Sequence, residues 1–416
     1  MDKVPRPKRT SAKKAAPAAA THAWELEAEF QEHAFEWRPQ PAVVAVKRAV
    51  AEIKKVAKKD PVLGAEGALS FLERASPALA HVDSSSGAIG TAVSRAIEEI
   101  APVLASAPVD AGTRAAWLER LYAAYEADRI PCIESLADHW GELCASTEVA
   151  SAWADRLLAD TRQALSPERE GYFRGIPACL SALHRAGRFD ELLDVLRVDT
   201  IWQWKQWAVR ALVSAGRKAE AIAYAEACRS PWARDTMIDQ VCEAILLSSG
   251  MADEAYTRYG LHANHAATYL ATFRAITEKY PHKAAADVLA DLAKTTPGDE
   301  GKWFAAAKHA ALYEEALALA ARSYCDPKTL ARAARDHAET HAAFAVGAGL
   351  LALRWLANGR FDITEAEVQD AYRVTMSAAE HAGSVAETTE RVRALLDSDA
   401  FATKFMKAAL ARELRG

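Results

Sequence analysis

Two pairs of histidines have a spacing at which one helix could present both imidazoles to a metal ion. His337 and His341 are four residues apart, and His262 and His265 are three apart. Imidazoles one turn apart are a frequent part of zinc sites. The metalloprotease motif HExxH also needs a glutamate after the first histidine, where this chain has Ala338. Spacing identifies no third ligand, so we expect solvent-facing or capping histidines, with no metal and no cofactor.

The stretch 200–234 combines aromatic rings with positive charge. It contains Trp202, Trp204, Trp207 and Trp232 together with Lys205, Arg210, Arg217, Lys218, Arg229 and Arg234. The stretch has six cations and only two acidic residues, Glu220 and Glu226, so its net charge is +4. Rings interleaved with cations suit stacking on nucleobases, and Trp and Arg also dominate protein-binding hot spots. Core packing is the third interpretation, because aromatic residues at helical spacing are most often core.

The tryptophans of this stretch cannot share one helix face. Trp204 and Trp207 are neighbours three residues apart, whereas Trp202 and Trp207 fall on nearly opposite sides at 100° per residue. One subset would then be exposed, and exposed tryptophan usually marks an interface. We therefore expect the partner-binding surface to comprise Trp202, Trp204, Lys205, Trp207, Arg210, Arg217, Trp232 and Arg234.

The usual catalytic fingerprints are missing from the sequence. It contains no Gly-x-Ser-x-Gly elbow, no P-loop and no Gly-x-Gly-x-x-Gly motif. The polar run from Asp83 to Gly87 could hold an anion at a helix N-terminus, but serine and aspartate are also the commonest N-caps. The sequence therefore favours a protein that is not an enzyme.

Composition defines the structural class. The chain has 416 residues, of which 94 are alanine. Alanine is the best helix former and a poor strand former, and β-branched residues form no alternating runs. We predict an all-α protein. Because one compact core stops growing near ~250–300 residues, the chain must divide into domains or be elongated.

Charge is distributed unevenly along the chain. The net charge is −5, from 51 basic and 56 acidic residues. Residues 1–22 carry +5, so the remainder carries −10. We predict a disordered basic tail at 1–22. Six sparse cysteines favour a reducing compartment, and the longest apolar run, of 12 residues at 342–353, is too short to span a membrane. A cytoplasmic location is expected.

Local signals predict where helices begin and end. Pro39 and Pro61 are expected to stop the helices that precede them. Asp110 is a candidate N-cap, and Thr364 with Glu367 matches a capping box. Glycines at 347 and 349 inside an apolar helix indicate close approach of a neighbouring helix.

Five stretches between residues 187 and 316 align on a turn. Their first and last residues are Gly187 and Leu192, Gly216 and Ala221, Gly250 and Ala255, Pro281 and Ala286, and Ala311 and Ala316. A glycine at the end of one helix permits a left-handed turn. An acid near the next helix start suits that helix's dipole. A small residue five positions after the glycine allows the two helices to pack tightly.

These turns resemble those of the tetratricopeptide repeat, whose two helices meet at a Gly-x-x-x-Glu-Ala turn. The resemblance covers about 171–325 and extends to uncharacterised bacterial helical-repeat proteins. It implies an α-solenoid of antiparallel helical hairpins, a tetratricopeptide- or HEAT-like right-handed superhelix. We predict a tail at 1–22, an N-terminal helical region at 23–170, repeats at 171–341 and a C-terminal helical cap at 342–416.

Such an architecture offers a concave surface for peptides or partner proteins. We expect a binding scaffold with no chemical step, a protein or peptide partner and no membrane association. The alternative is a nucleic-acid-binding helical-repeat protein of the HEAT-like DNA glycosylase type, with Asp199 or Asp235 as its acid. The acidic body weighs against it, because phosphate neutralisation supplies much of DNA affinity.

Overall fold

A computed structural model describes residues 22–166, 173–197, 201–229, 235–359, 363–397 and 400–414. The predicted tail, apart from residue 22, lies outside these ranges, as do Asp199, Trp232 and Arg234. Only the backbone of Asp235 is described. Every regular element in the described ranges is a helix, so the all-α prediction is confirmed. The chain divides into an N-terminal unit, Met1–Cys228, and a C-terminal unit, Arg229–Gly416.

The N-terminal unit contains eleven α-helices in its described part. Helices α1 to α11 are Glu25–Glu29, Pro39–Ala57, Pro61–Leu79, Ala88–Ser106, Ala111–Ala127, Trp140–Leu143, Thr147–Leu165, Ile176–Arg185, Phe189–Val195, Trp202–Ser214 and Lys218–Ala227. A 3₁₀ helix, Glu134–His139, leads directly into α6.

The C-terminal unit continues with α12 to α23. They are Asp235–Leu247, Ala252–Ala255, Leu261–Ala263, Tyr269–Lys279, Ala285–Lys294, Phe304–His309, Tyr313–Arg322, Pro327–His337, Ala342–Ala357, Glu365–Ala382, Val385–Leu396 and Phe401–Ala409. A π-helical turn at Tyr256–Gly260 and a 3₁₀ helix at Glu300–Trp303 join some of them. The division between the units falls inside the predicted repeat region, 171–341.

Two prolines of the N-terminal unit open helices, and the helix that precedes each of them ends earlier in the chain. Pro39 and Pro61 are the first residues of α2 and α3. At that position the missing N–H is not needed, and the fixed φ suits a helix. Asp60 caps α3, since its carboxylate accepts from the Leu63 N–H at 3.0 Å. Helix α2 ends at Ala57, before Pro61, as predicted, and α1 ends at Glu29, earlier than the expected end near Pro39.

The predicted caps and glycine contacts are confirmed. Asp110 accepts from the Thr113 N–H at 3.0 Å, and Thr364 with Glu367 forms the capping box. A Cβ at position 349 would collide with Thr375 of α21. The glycines of α20 therefore permit close helix packing.

Four turns share one backbone geometry. Gly187, Gly216 and Gly250 have φ values of 73°, 77° and 74°, and Ala311 has 57°. In each turn the residue after the left-handed one donates its backbone N–H to the carbonyl five residues before it. At Gly216, for example, the Arg217 N–H donates to the Leu212 carbonyl at 2.8 Å. This is the Schellman arrangement at a helix C-terminus. The left-handed turn predicted at the glycines is confirmed, and Ala311 adopts it despite its Cβ.

The alignment at Pro281 is wrong by two residues. In the other four stretches the second helix begins two residues after the turn residue, and the residue five after it is buried. In the Pro281 stretch the second helix begins four residues after the turn residue, at Ala285. The residue five after Pro281, Ala286, is exposed, and the buried position falls two residues later, at Val288. This turn is longer because it contains a further hydrogen bond, from the backbone N–H of Lys283 to the Tyr280 carbonyl at 3.0 Å, before the helix begins.

Neighbouring helices of the N-terminal unit pack in succession. Helix α4 packs on α6, α6 on α8 and α8 on α10, while α9 and α11 also pack on α10. At the α6–α8 contact, a Cβ on Gly141 would meet the Ser181 carbonyl and the Arg185 Cβ. This close approach places α4, α6, α8 and α10 side by side around one groove.

Candidate functional site

The groove across α4, α6, α8 and α10 is a cavity of about 690 Å³. Its floor comes from the 3₁₀ helix before α6, which contributes Ser135, Asp138 and His139. Helix α8 contributes His184, and α10 contributes Trp207 and Arg210, among others. A volume of this order suits a short peptide segment or a small molecule. We call this cavity the inner groove.

Arg210 lies against Trp207 at one side of the inner groove. The guanidinium carbon is 4.6 Å from the centre of the indole ring, which is a cation–π contact. Trp207 is only 4% exposed, so its ring belongs mostly to the core. Arg210 itself is exposed. The pair forms a groove wall with an apolar base and a charged edge.

The carboxylate of Asp138 has no hydrogen-bond or ion-pair partner among the described residues. Much of the residue is exposed, yet many protein atoms surround its carboxyl group, and the resulting desolvation raises its pKa. The charges of Arg210 and His139 oppose this shift. The Ser135 hydroxyl nearby is buried and also lacks a partner in the described structure. Of these two groups only the Ser135 hydroxyl is both buried and without a partner, because Asp138 is exposed to solvent.

A short hydrogen-bond chain holds this floor in place. The Ser181 hydroxyl of α8 donates to the Asp138 carbonyl at 2.8 Å. The Ser181 hydroxyl oxygen also accepts from the Gly141 N–H at 3.0 Å. Because α8 fixes the backbone on both sides of His139, the Asp138 side chain projects from a rigid support.

Two histidines lie in the inner groove. His184 shares a hydrogen bond with the Ser214 hydroxyl at 3.0 Å, and burial lowers its pKa. The backbone of Arg210 opposes that shift, while the Arg210 charge adds to it. His139 contacts the Glu142 carboxylate at 3.3 Å. Burial of His184 therefore disfavours its protonated form.

The predicted binding residues divide between two cavities. Trp207 and Arg210 lie in the inner groove, whereas Lys205 and Arg217 line a different cavity of about 500 Å³. Arg217 is paired there with Glu220 at 2.7 Å. The structure does not bring these four residues into one surface.

The expectation of an exposed tryptophan is wrong for the described part of the stretch. Trp202 is 8% exposed and Trp207 is 4% exposed, and Trp204 is half-buried against the hydrophobic core. Helix α10 contacts three other helices, α8, α9 and α11. Trp202 and Trp207 are both buried although they lie on different sides of α10.

Some cations of the stretch have carboxylates near them. Arg217 pairs with Glu220, which the net charge of +4 already counts, and Arg229 pairs with Asp239. The Arg210 charge opposes the rise in the pKa of Asp138 that desolvation causes. Residues 235–239 and 138 lie outside the stretch, so a window of sequence could not include them.

His337 and His341 lie near each other without forming a metal centre in the described structure. Their ring centres are 6.0 Å apart, and Tyr313 packs against both. The His337 Nδ1 makes a hydrogen bond with the Ala333 carbonyl at 3.2 Å. No cluster of three metal-ligating side chains occurs among the residues that the structure describes.

Sequence reasoning missed the floor of the inner groove. Ser135, Asp138 and His139 lie in a stretch without any recognisable spacing, and their proximity to α10 depends on how α6 and α8 pack. The small residues Gly141 and Ser181 are the sequence signal of the close packing between α6 and α8.

The fold and groove define an all-helical chain with a concave cavity in its N-terminal unit. Within the described residues, no helix is both long and apolar enough to cross a membrane. No family model, curated protein or solved structure matches the chain.

Proposed function

We propose that this chain is a non-enzymatic, tetratricopeptide-like helical-repeat scaffold, and that the inner groove binds a peptide segment of a partner protein. The observation that carries the proposal is the groove itself, a cavity of about 690 Å³ across four successively packed helices. Peptide grooves of helical repeats are lined in this way by adjacent helices on one face.

The repeated turns support the repeat assignment. Four Schellman turns with the same hydrogen bonds each connect a helix to a second helix that packs on it. The buried residues Ala221, Ala255 and Ala316 occupy equivalent positions after three of these turns. Equivalent geometry at equivalent positions favours a repeating hairpin unit, which is the basis of a solenoid.

The lining of the inner groove supports binding over catalysis. Trp207 and Arg210 supply an aromatic base with a charged edge, a combination common in protein-binding hot spots. Arg217 and Arg229 are paired with carboxylates, which makes these two cations less available to a phosphate backbone. A peptide is therefore the better-supported occupant.

A steric block of the groove tests the proposal. Peptides are selected from a random twelve-residue phage library on the immobilised full-length protein, and their affinities are measured by fluorescence anisotropy. Gln206→Trp should fill the groove and weaken the selected peptides at least tenfold. Gln203→Trp is the matched control, because Gln203 is exposed on the same helix and outside the groove.

Two outcomes would contradict the proposal. Selected peptides that bind both variants as tightly as wild type would place recognition elsewhere. Tight, steeply salt-dependent binding of a DNA duplex, with no peptide selected, would favour the nucleic-acid alternative. Circular dichroism and thermal melting of both variants show whether each protein is folded.

A further inference from the structure

Helix α2 concentrates positive charge on the surface of the N-terminal unit. The thirteen residues 47–59 contain six cations and one acidic residue. At 100° per residue, Lys47, Lys54 and Lys58 lie within about 20° of one line along the helix, and this line is about 17 Å long. All the lysines of this stretch are exposed, and we call them the basic ridge: Lys47, Lys54, Lys55, Lys58 and Lys59.

The carboxylates near the basic ridge are engaged elsewhere or reach only one of its lysines. Glu52 accepts from two backbone N–H groups of α1, at 3.0 and 3.2 Å. Glu29 pairs with Arg48 at 3.1 Å, and Glu99 of α4 pairs with Lys54 at 2.8 Å. The other four lysines of the ridge have no hydrogen-bond or ion-pair partner among the described residues.

The stability of α2 does not account for the whole ridge. Like charges four residues apart destabilise a helix, as in Lys54 with Lys58 and Lys55 with Lys59. The helix dipole favours cations in the last turn, which includes Lys54 and Lys55. Lys47, however, lies more than two turns before the last residue of α2, Ala57. An anionic ligand along the ridge would use the cations of all these turns.

The side chains around the ridge select among anionic ligands. Between positions 47 and 59, Val50 and Ile53 are buried and Val56 is half-buried, and the stretch has no aromatic residue. It therefore offers no exposed apolar group to enter a lipid surface, and no ring on which the bases of a single strand could stack. Contacts with the phosphates of a duplex need only cations.

The acidic charge of the remaining chain does not cancel the ridge. Residues 23–416 carry −10 in total. Exposed charges interact weakly beyond the screening length, ~8 Å at physiological ionic strength. The field at the ridge is therefore set mainly by its own closely spaced lysines.

We propose that the basic ridge binds the phosphate backbone of a nucleic-acid duplex without base specificity. Lysine acts there as a point charge, and contacts to phosphate carry no sequence information directly. This binding goes beyond the proposed function, because no lysine of the ridge lines the inner groove.

The test measures the anisotropy of labelled twenty-base-pair duplexes of unrelated sequence on the full-length protein, from about 50 to 200 mM salt. The duplexes should bind with equal affinity. Lys47→Gln, Lys55→Gln and Lys58→Gln in combination should weaken binding at least tenfold at the lowest salt. The slope of log affinity against log salt should become shallower by about 2–3, since each phosphate contact contributes ~0.9.

The matched control changes the net charge by the same amount at the surface of the C-terminal unit. It combines Lys294→Gln, Lys302→Gln and Lys328→Gln, all at exposed positions, and it should bind the duplexes as wild type does. Both triple variants keep the basic residues 1–22, so the difference between them reports on the ridge alone. Circular dichroism and thermal melting show whether both are folded.

Three outcomes would overturn the inference. They are equal affinities and slopes for the two triple variants, tighter binding of a single strand than of a duplex of the same length, and ridge-dependent binding of phosphatidylserine vesicles without duplex binding. Ridge-dependent binding of a DNA duplex, an RNA duplex or both supports the inference and identifies the source of the phosphates. Gln206→Trp should leave duplex binding unchanged and the ridge variant should still bind the selected peptides, so each proposal can fail separately.

Discussion

The buried guanidinium of Arg114 donates to the backbone carbonyl of Leu104 at 2.6 Å. It also donates to Ala107 at 2.8 Å and Ala105 at 3.3 Å, and reaches Leu143 at 3.5 Å. These carbonyls lie at the C-terminal ends of α4 and α6, where the helices have no further N–H donors. Arg114 is 6% exposed, and burial lowers its pKa. One side chain on α5 thus satisfies two helix ends.

Arg114→Met should destabilise the N-terminal unit by about 2–3 kcal/mol, because buried carbonyls lose their donor. Arg120→Met is the control on the same helix. Arg120 makes a surface ion pair with Glu73 at 2.7 Å, and such pairs contribute about 0–1 kcal/mol. Urea denaturation followed by circular dichroism measures both changes. Equal midpoints for the two variants would show that Arg114 does not hold the helix ends.

Gly216→Ala should lower the free energy of unfolding by about 1–2 kcal/mol, because the left-handed conformation is unfavourable by that amount for an L-amino acid with a Cβ. Gly90→Ala makes the same chemical change inside α4 and should stabilise by about 0.5–1 kcal/mol. Neither position has an atom within 4 Å of an added Cβ, so only the backbone differs. Opposite shifts of the denaturation midpoint are expected. A shift of the same sign for both would contradict the turn geometry.

His184 should make the protein less stable as the pH falls from 7 to 5. Burial lowers its folded-state pKa below the ordinary value of 6.5, so the unfolded chain binds the proton more readily. The stabilisation is present above pH 6.5 and is lost as the pH falls through that value toward the lower, folded pKa. His184→Gln should flatten this part of the profile of melting temperature against pH. An unchanged slope would assign the acid response to other groups.

Arg210→Ala should weaken the library-selected peptides roughly two- to fivefold, because it removes the charged edge of the inner groove beside Trp207. Arg217→Ala should leave their affinity unchanged, since Arg217 lies in the other cavity and pairs with Glu220. Anisotropy titrations of both variants provide the comparison. Equal affinities for wild type and Arg210→Ala would show that Arg210 does not contact the peptide.

The sequence by itself determined the features that depend on a few neighbouring residues. Alanine content fixed the helical class, because helix propensity is a property of single residues. The turn at Gly216, the cap at Asp110 and the capping box at Thr364 were predictable for the same reason: their partners lie within five positions along the chain.

Tertiary structure decided everything that depends on distant partners. Trp202 and Trp207 are both buried although they lie on different sides of α10, and periodicity alone does not reveal this. The inner groove brings Asp138 close enough to Arg210, more than seventy positions away in the chain, for their charges to interact. Local patterns specify helices, but burial and charge are set by whichever elements pack beside them.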